Sequence, residues 1–182
     1  MSCAAPGRHA LRVALARTLD LTKHAAVDLH LAHPSDASAI AALSKSEIEH
    51  GLAWSWTPER VRKAIADQET NVVVAKEVHT LLGFGIMVYR EETAHLCLFA
   101  VHPRFRQRGL GSAILVWLEQ VAQVAGVRKV SLEARQDNAL AVAFYERRGY
   151  RKAAHIVGMY QGVADGVRLE KWLSTVTATG VQ

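Results

Sequence analysis

Apolar and polar positions along the chain switch between two periods, and the switches lay out its elements. Val27-Asp28-Leu29-His30-Leu31 alternates in twos, as a half-buried strand does. Pro34-Ser35-Asp36 then offers a helix start before Ile40, Leu43 and Glu47, with Gly51 as the stop. A second helix begins at Thr57-Pro58-Glu59, which supplies a capping hydroxyl, a first-turn proline and an acid at the positive dipole end. Val61 and Ile65 set its buried stripe.

Three strands follow. Asn71–Ala75 is β-branched, and Leu81–Tyr89 carries Gly83 and Gly85, which mark a bulge or close packing. Ala94–Val101 is nearly all apolar, as expected of a central strand buried on both faces. Ile114, Leu115, Leu118, Val121, Ala122 and Ala125 then recur at helical spacing, with Gly126 as the C-terminal cap. Lys129–Ala134 reads as a strand. Asp137 or Asn138 caps a further helix that runs to Arg148 and stops at Gly149. Ile156–Gln161 and Val167–Leu173 close the chain as an antiparallel pair. The order β-α-α-β-β-β-α-β-α-β-β predicts a mixed α/β domain over residues 25–174, flanked by a basic, disordered leader (1–24) and a tail (175–182).

Composition adds exclusions. At 182 residues the chain is sized for one domain, and 50% hydrophobic with 21% charged residues is ordinary for a globular fold. Cys3 and Cys97 are the only cysteines, and the nine histidines form no HExxH, so a metal site is not expected. A reducing, cytoplasmic setting is the default for such cysteine usage. No apolar run reaches the roughly 18–20 residues that span a bilayer, so a membrane partner is not expected. The leader resembles a weak transit peptide, with a disordered leader or a misassigned start as the plainer reading.

The net charge of +5 invites a nucleic-acid reading, but its distribution argues against one. Residues 1–24 hold four of the 22 basic residues and one of the 17 acids, which leaves 18 against 16 in the remainder. Arg104, Arg106 and Arg108 exceed that remaining excess by themselves.

Those arginines sit in Val101-His102-Pro103-Arg104-Phe105-Arg106-Gln107-Arg108-Gly109-Leu110-Gly111-Ser112, between a buried strand and an amphipathic helix. The first N–H groups of a helix lack internal partners and, with the dipole, attract an anion. Gly109 and Gly111 permit positive φ and a close backbone approach. A pyrophosphate is the natural guest; a solvated basic turn is the plainer alternative. No GxxxxGK[ST] is present, and Ile114 stands where a dinucleotide GxGxxG needs its third glycine.

Arg106-x-x-Gly109-x-Gly111 after a strand resembles the acetyl-CoA signature of the GNAT superfamily of N-acetyltransferases. Leu132-Glu133-Ala134-Arg135, Asn138 and Ala143-Phe144-Tyr145-Glu146-Arg147-Arg148-Gly149-Tyr150 resemble the ribosomal-protein-alanine N-acetyltransferase branch. The likeness weakens at Met159-Tyr160, where that branch usually carries paired tyrosines and a nearby Arg. The resemblance implies a GNAT-like mixed central sheet, acetyl-CoA as co-substrate and an amine acceptor, protein or small molecule, in a monomer or homodimer. It implies that Phe99, Val101, Arg106, Gln107, Arg108, Gly109, Leu110, Gly111, Ser112 and Asn138 bind the cofactor. An oxyanion donor is expected from the amide of Ala100 or Val101.

Acetyl transfer needs a base, an acid and a polarised carbonyl. The resemblance gives Glu133 the base's role, with a pKa raised by partial burial, and Tyr145 the acid's. Glu133 as a surface residue paired with Arg135 or Lys129, Tyr145 as a core aromatic and Asn138 as a simple helix cap remain the structural alternatives. His95 is a second candidate base, or a satisfied strand histidine. Cys97 shares its face without a Cys/His nucleophile design. His50–Thr57, with Trp54 and Trp56, is expected to overhang the acceptor, where Glu47 and Glu49 either attract an ammonium or form a solvated face. Three functional readings remain: protein N-terminal acetylation, small-amine acetylation, and a catalytically silent acyl-CoA-binding module.

Overall fold

The computed structural model describes residues 17–19 and 27–174, so most of the proposed leader and the tail at 175–182 lie outside the described residues. The strands are β1 (Arg17–Leu19), β2 (Val27–Leu31), β3 (Thr70–Glu77), β4 (Thr80–Tyr89), β5 (Thr93–Val101), β6 (Lys129–Arg135), β7 (Arg151–Tyr160) and β8 (Ala164–Trp172). The helices are α1 (Ala37–Glu47), α2 (Pro58–Ala66), α3 (Leu110–Val124) and α4 (Ala139–Glu146). From β2 onward the predicted order holds; β1, taken from the segment assigned to the leader, adds a short strand antiparallel to β2.

The sheet runs β1-β2-β3-β4-β5-β6-β8-β7, and β5–β6 is its parallel pair. Its two faces bury separate clusters. Leu115 and Leu118 of α3 pack with Met87, Leu96, Leu132 and Leu169. Ile40 of α1 and Val61 of α2 pack with Val74, Phe84, Ile86 and Leu98. Such a sheet, covered on both faces, is a stable way to bury strands this apolar.

The local reasons for the helices are legible. The Thr57 hydroxyl accepts from Arg60 N–H and Pro58 occupies the first turn, so α2 starts as predicted. Gly126 and Gly149, at φ +83 and +86, take the left-handed conformation that ends α3 and follows α4. Gly83 and Gly85 serve close packing, because a Cβ on Gly85 would stand 2.7 Å from Leu118 Cδ1. The bulge lies just beyond them.

On β5, Leu96 pairs with Met87 and Leu98 with Ile86, so Cys97 is the extra residue of a bulge. The bulge swaps the faces of the strand: Leu96 belongs to the α3 cluster and Leu98 to the α1–α2 cluster. β5 is central as expected, but its alternate residues are only half-buried rather than enclosed on both faces. The parallel pairing of β5 with β6 ends at Leu96–Leu132, one residue before the bulge. β5 then continues along β4 to Val101, and β6 along β8 to Arg135.

Candidate active site

Where β5 and β6 part, a cavity of about 320 Å³ opens. Cys97 and Phe99 line it from β5, Glu133 and Arg135 from β6, and Asn138 and Tyr145 from α4 and its cap. Leu52, Trp56, Tyr160 and Gln161 wall its other end. Unpaired strand amides face the opening. His102 N–H donates to the Leu82 carbonyl of β4 at 2.8 Å, so strand alternation aims Ala100 at β4 as well. Phe99 and Val101 then face away from β4. The Val101 carbonyl agrees, since it accepts from Arg106 Nε at 3.0 Å. Of the two expected oxyanion donors, only Val101 has its amide pointing away from β4, and it lies beyond the β5 residues that line the cavity.

Glu133 projects between the buried Leu132 and Ala134, as alternation requires. Its side chain is 11% exposed. It pairs with neither Arg135 nor Lys129. Its Oε2 lies 3.0 Å from His95 Nε2, and its Oε1 accepts from Arg168 Nε at 2.7 Å. Both sequence candidates for the base are therefore one contact pair, formed because His95 stands beside Ser131 in the β5–β6 register. His95 Nδ1 in turn lies 3.0 Å from Ser131 Oγ. The hydrogen bond to His95 is the largest influence on Glu133 and, with Arg168, holds its carboxyl below the usual range against the opposing effect of burial. The expectation of a raised value is corrected: burial is outweighed by two donors.

Tyr145 is buried, with its ring packed against Phe99, Phe144 and Tyr150 at centroid distances of 6.1, 5.1 and 5.6 Å. Burial pushes its phenol far above the ordinary value, so it stays protonated at physiological pH. It is thus a core aromatic whose residue also lines the cavity, with its phenol in the protonated form. Asn138 shares that wall while its Oδ1 accepts from Ala141 N–H at 3.1 Å, capping α4. Burial, with Glu133 adding, raises the Cys97 thiol, which leaves it a poor nucleophile.

The basic turn is a 3-10 turn (Pro103–Phe105) leading into α3. Gln107 and Gly109, at φ +59 and +81, both take the left-handed conformation, and Gly109 caps the helix. Gly111 has no positive φ. It lies inside the first turn, where a Cβ would stand 3.3 Å from Phe144 Cε2. Its role is close approach, not backbone freedom. Leu110 is buried, so this turn offers backbone amides rather than side chains at that position. Arg106 is engaged: besides Val101, its guanidinium pairs with Glu47. Arg148 binds Ser112 Oγ and stacks 3.6 Å over Phe144. Arg108 reaches Phe105 at 5.8 Å. The turn, the open helix start and the glycine cradle fit an acyl-CoA pyrophosphate, with amides as the donors and Arg104 and Arg108 as the exposed charges.

The connection from α1 to α2 overhangs the cavity, and its carboxylates are committed. Glu49 is buried. It accepts from Ser55 N–H at 2.7 Å, Ser55 Oγ at 2.6 Å and Trp56 N–H at 3.3 Å. It folds the loop and is no solvated face. Trp56 lies under Arg60 at 4.2 Å, and Trp54 under Lys45 at 4.8 Å. Sequence reasoning left Tyr160, Arg168 and Gln161 out of the site. Tyr160 lines the cavity, with its phenol pushed up to about 12 by burial and the Glu133 charge. Nothing local marks any of the three; only the fold of the β7–β8 hairpin brings them here.

Among the described residues no His/Cys/Asp/Glu group can hold a metal ion, and no helix is long and apolar enough to cross a membrane. The profile of the Acetyltransferase (GNAT) family matches residues 38–150. Solved structures share the fold. Ard1 from Thermoplasma volcanium superposes with a TM-score of 0.73 at 20% identity, covering 81% of this chain and 98% of its own. The ribosomal-protein-S18-alanine N-acetyltransferase from Escherichia coli gives 0.69 at 23%, covering 86% and 99%. The PaiA N-acetyltransferase from Thermoplasma acidophilum, solved with coenzyme A, gives 0.68 at 15%, covering 81% and 99%.

Proposed function

The chain belongs to the GNAT family of acetyltransferases, and from that premise we propose that its acceptor is an α-amine at a protein N-terminus. The donor is acetyl-CoA. The observation that carries the acceptor is the Glu133 carboxylate, held low by His95 at 3.0 Å and Arg168 at 2.7 Å. Such a carboxylate is a weak base. It suits an amine that is already partly neutral near pH 7.5, as an α-amine at about 7.7–8.0 is, rather than a lysine-type amine near 10.4. The segment from Leu132 to Tyr150, which resembles a branch acting on protein α-amines, supports the same acceptor.

In this reading the α3 amides and the glycine cradle hold the cofactor's pyrophosphate, and Asn138 and the outward amide of Val101 hold its arm. Holding donor and acceptor together removes most of the entropic barrier to their meeting. The outward amide of Phe99, which lines the cavity with Glu133, stabilises the developing oxyanion. Attack raises the acidity of the incoming nitrogen, and Glu133 takes that proton directly or through one water. Tyr145, kept protonated by its burial, gives a proton to the departing thiolate. Transfer is direct, and Cys97 takes no part.

The test is an acceptor screen by mass spectrometry with acetyl-CoA, comparing N-terminal peptides, internal-lysine peptides and small amines, with Glu133→Gln in parallel. The reading expects acetylated N-terminal peptides and little product in the variant. Product from small amines alone overturns the peptide acceptor, and full turnover in Glu133→Gln overturns the base.

A further inference from the structure

One contact spans the cavity mouth between residues 108 positions apart. Ala53 N–H donates to Gln161 Oε1 at 2.9 Å, and Gln161 Nε2 donates to the Ala53 carbonyl at 3.1 Å. Ala53 lies in the α1–α2 connection; Gln161 is in the turn between β7 and β8. Both segments wall the cavity, through Leu52 and Trp56 on one side and Tyr160 and Gln161 on the other.

The arrangement is directed from both ends. Gln161 adopts φ +57, a left-handed conformation unusual for a non-glycine residue, and its side chain reaches across from there. The opposite loop is braced for it. Arg135 donates to the His50 carbonyl at 3.3 Å, and Glu49 ties down Ser55 and Trp56. Residues 51–54 form an arc between those two anchors, and Ala53 meets Gln161 within it.

A primary carboxamide can satisfy one residue's N–H and C=O together, so this side chain closes the mouth as a one-residue strand bridge would. We propose that Gln161 is a specificity-determining residue: its carboxamide bridges the cavity mouth to Ala53 and limits the acceptor's bulk beside the reacting amine. The inference rests on the proposed function, in which the acceptor's amine must reach Glu133 within this cavity. An amine on a slim chain passes beneath the bridge. A bulky or branched group next to the amine must break both hydrogen bonds to reach Glu133.

The experiment pairs Gln161→Ala with Gln161→Asn, whose shorter side chain tolerates the left-handed backbone but does not span the gap. Each is assayed against peptides with N-terminal glycine, alanine, leucine or tryptophan, and against matched small amines of increasing bulk. Amide hydrogen exchange at Ala53 is followed in the same proteins. The ratio of kcat/KM for bulky over slim acceptors is expected to rise at least fivefold in both variants, mainly through KM, with faster exchange at Ala53. The KM for acetyl-CoA is expected to stay put. An unchanged ratio, or an equal change for every acceptor, overturns the assignment. So does a changed ratio without faster Ala53 exchange, since the bridge would then not be its cause. The small-amine series reads the bridge even if no peptide is acetylated. Failure here is therefore distinct from failure of the acceptor or of Glu133 as the base.

Discussion

His95 Nε2 and Glu133 Oε2 stand 3.0 Å apart across the parallel pair β5–β6, just before the strands separate. The carboxylate faces the cavity, while the imidazole is 38% exposed and braced by Ser131. Removing the carboxylate while keeping its shape tests what it does. Glu133→Gln is expected to lower kcat by about 10²-fold or more, the usual contribution of a positioned base. Acetyl-CoA affinity, measured by calorimetry, is expected to be nearly unchanged.

The depressed carboxyl has a signed consequence. Glu133 is ionised at a lower pH in the native state than in the unfolded chain, chiefly because of His95, with Arg168 adding. The stability it contributes is present above the unfolded value of about 4.3 and is lost as pH falls through the lower folded value. Arg168→Met removes one donor and raises that folded value. The lower acid limb of kcat/KM, where the profile steepens below the limb set by the α-amine itself, is expected to move to higher pH in the variant. Urea denaturation is expected to show a loss of stability at pH 7 that narrows toward pH 3. A limb that stays in place overturns Arg168 as a partner in ionisation.

Tyr145→Phe keeps the ring contacts with Phe99, Phe144 and Tyr150 and removes only the hydroxyl. Turnover is expected to fall about 10²-fold if protonation of the thiolate limits the rate. Burial keeps the wild-type phenol protonated, so no alkaline limb below pH 10 is expected from it. Stopped-flow measurement of thiol release checks both points.

Gly109→Ala puts a Cβ on a residue at φ +81. The left-handed conformation costs a non-glycine residue about 1–2 kcal/mol, and relief requires the turn to move. Acetyl-CoA KM is expected to rise severalfold while acceptor KM stays constant, because Gly109 caps α3 where the proposed function seats the pyrophosphate.

Glu49→Ala removes the acceptor shared by Ser55 and Trp56 in a buried setting. Each stranded donor costs about 1–3 kcal/mol. A clear fall in Tm by calorimetry is expected, together with a higher acceptor KM as the loop over the cavity loosens. A normal Tm with weak acceptor binding would instead make Glu49 a ligand of the acceptor.

How much of this was legible in the chain differs from residue to residue. Thr57-Pro58 started α2 and Gly109 capped α3, as their local signals required. For Gly111 the sequence offers positive φ or close approach, and the fold uses close approach: the residue makes room for Phe144, 33 residues away, and needs no unusual φ. Glu49, which the sequence leaves as either an ammonium-attracting acid or part of a solvated face, is buried under backbone donors that no spacing rule reveals. Arg106 looked like a free phosphate ligand, and the fold gives its guanidinium to Glu47 and the Val101 carbonyl.

The sequence by itself determined the order of the elements from β2 onward, because caps, glycine positions and apolar periodicity act through neighbours a few bonds away, and its motifs carried the resemblance to the family. The tertiary structure alone decided the lowered carboxyl of Glu133, the residues around it and the contact between Gln161 and Ala53. Glu133 is set by His95 and Arg168, which lie 38 positions before it and 35 after. Gln161 meets Ala53, 108 positions away. These are electrostatic and hydrogen-bonding effects between groups that only strand register and a β-hairpin bring within reach, and their energies do not exist until the chain has folded.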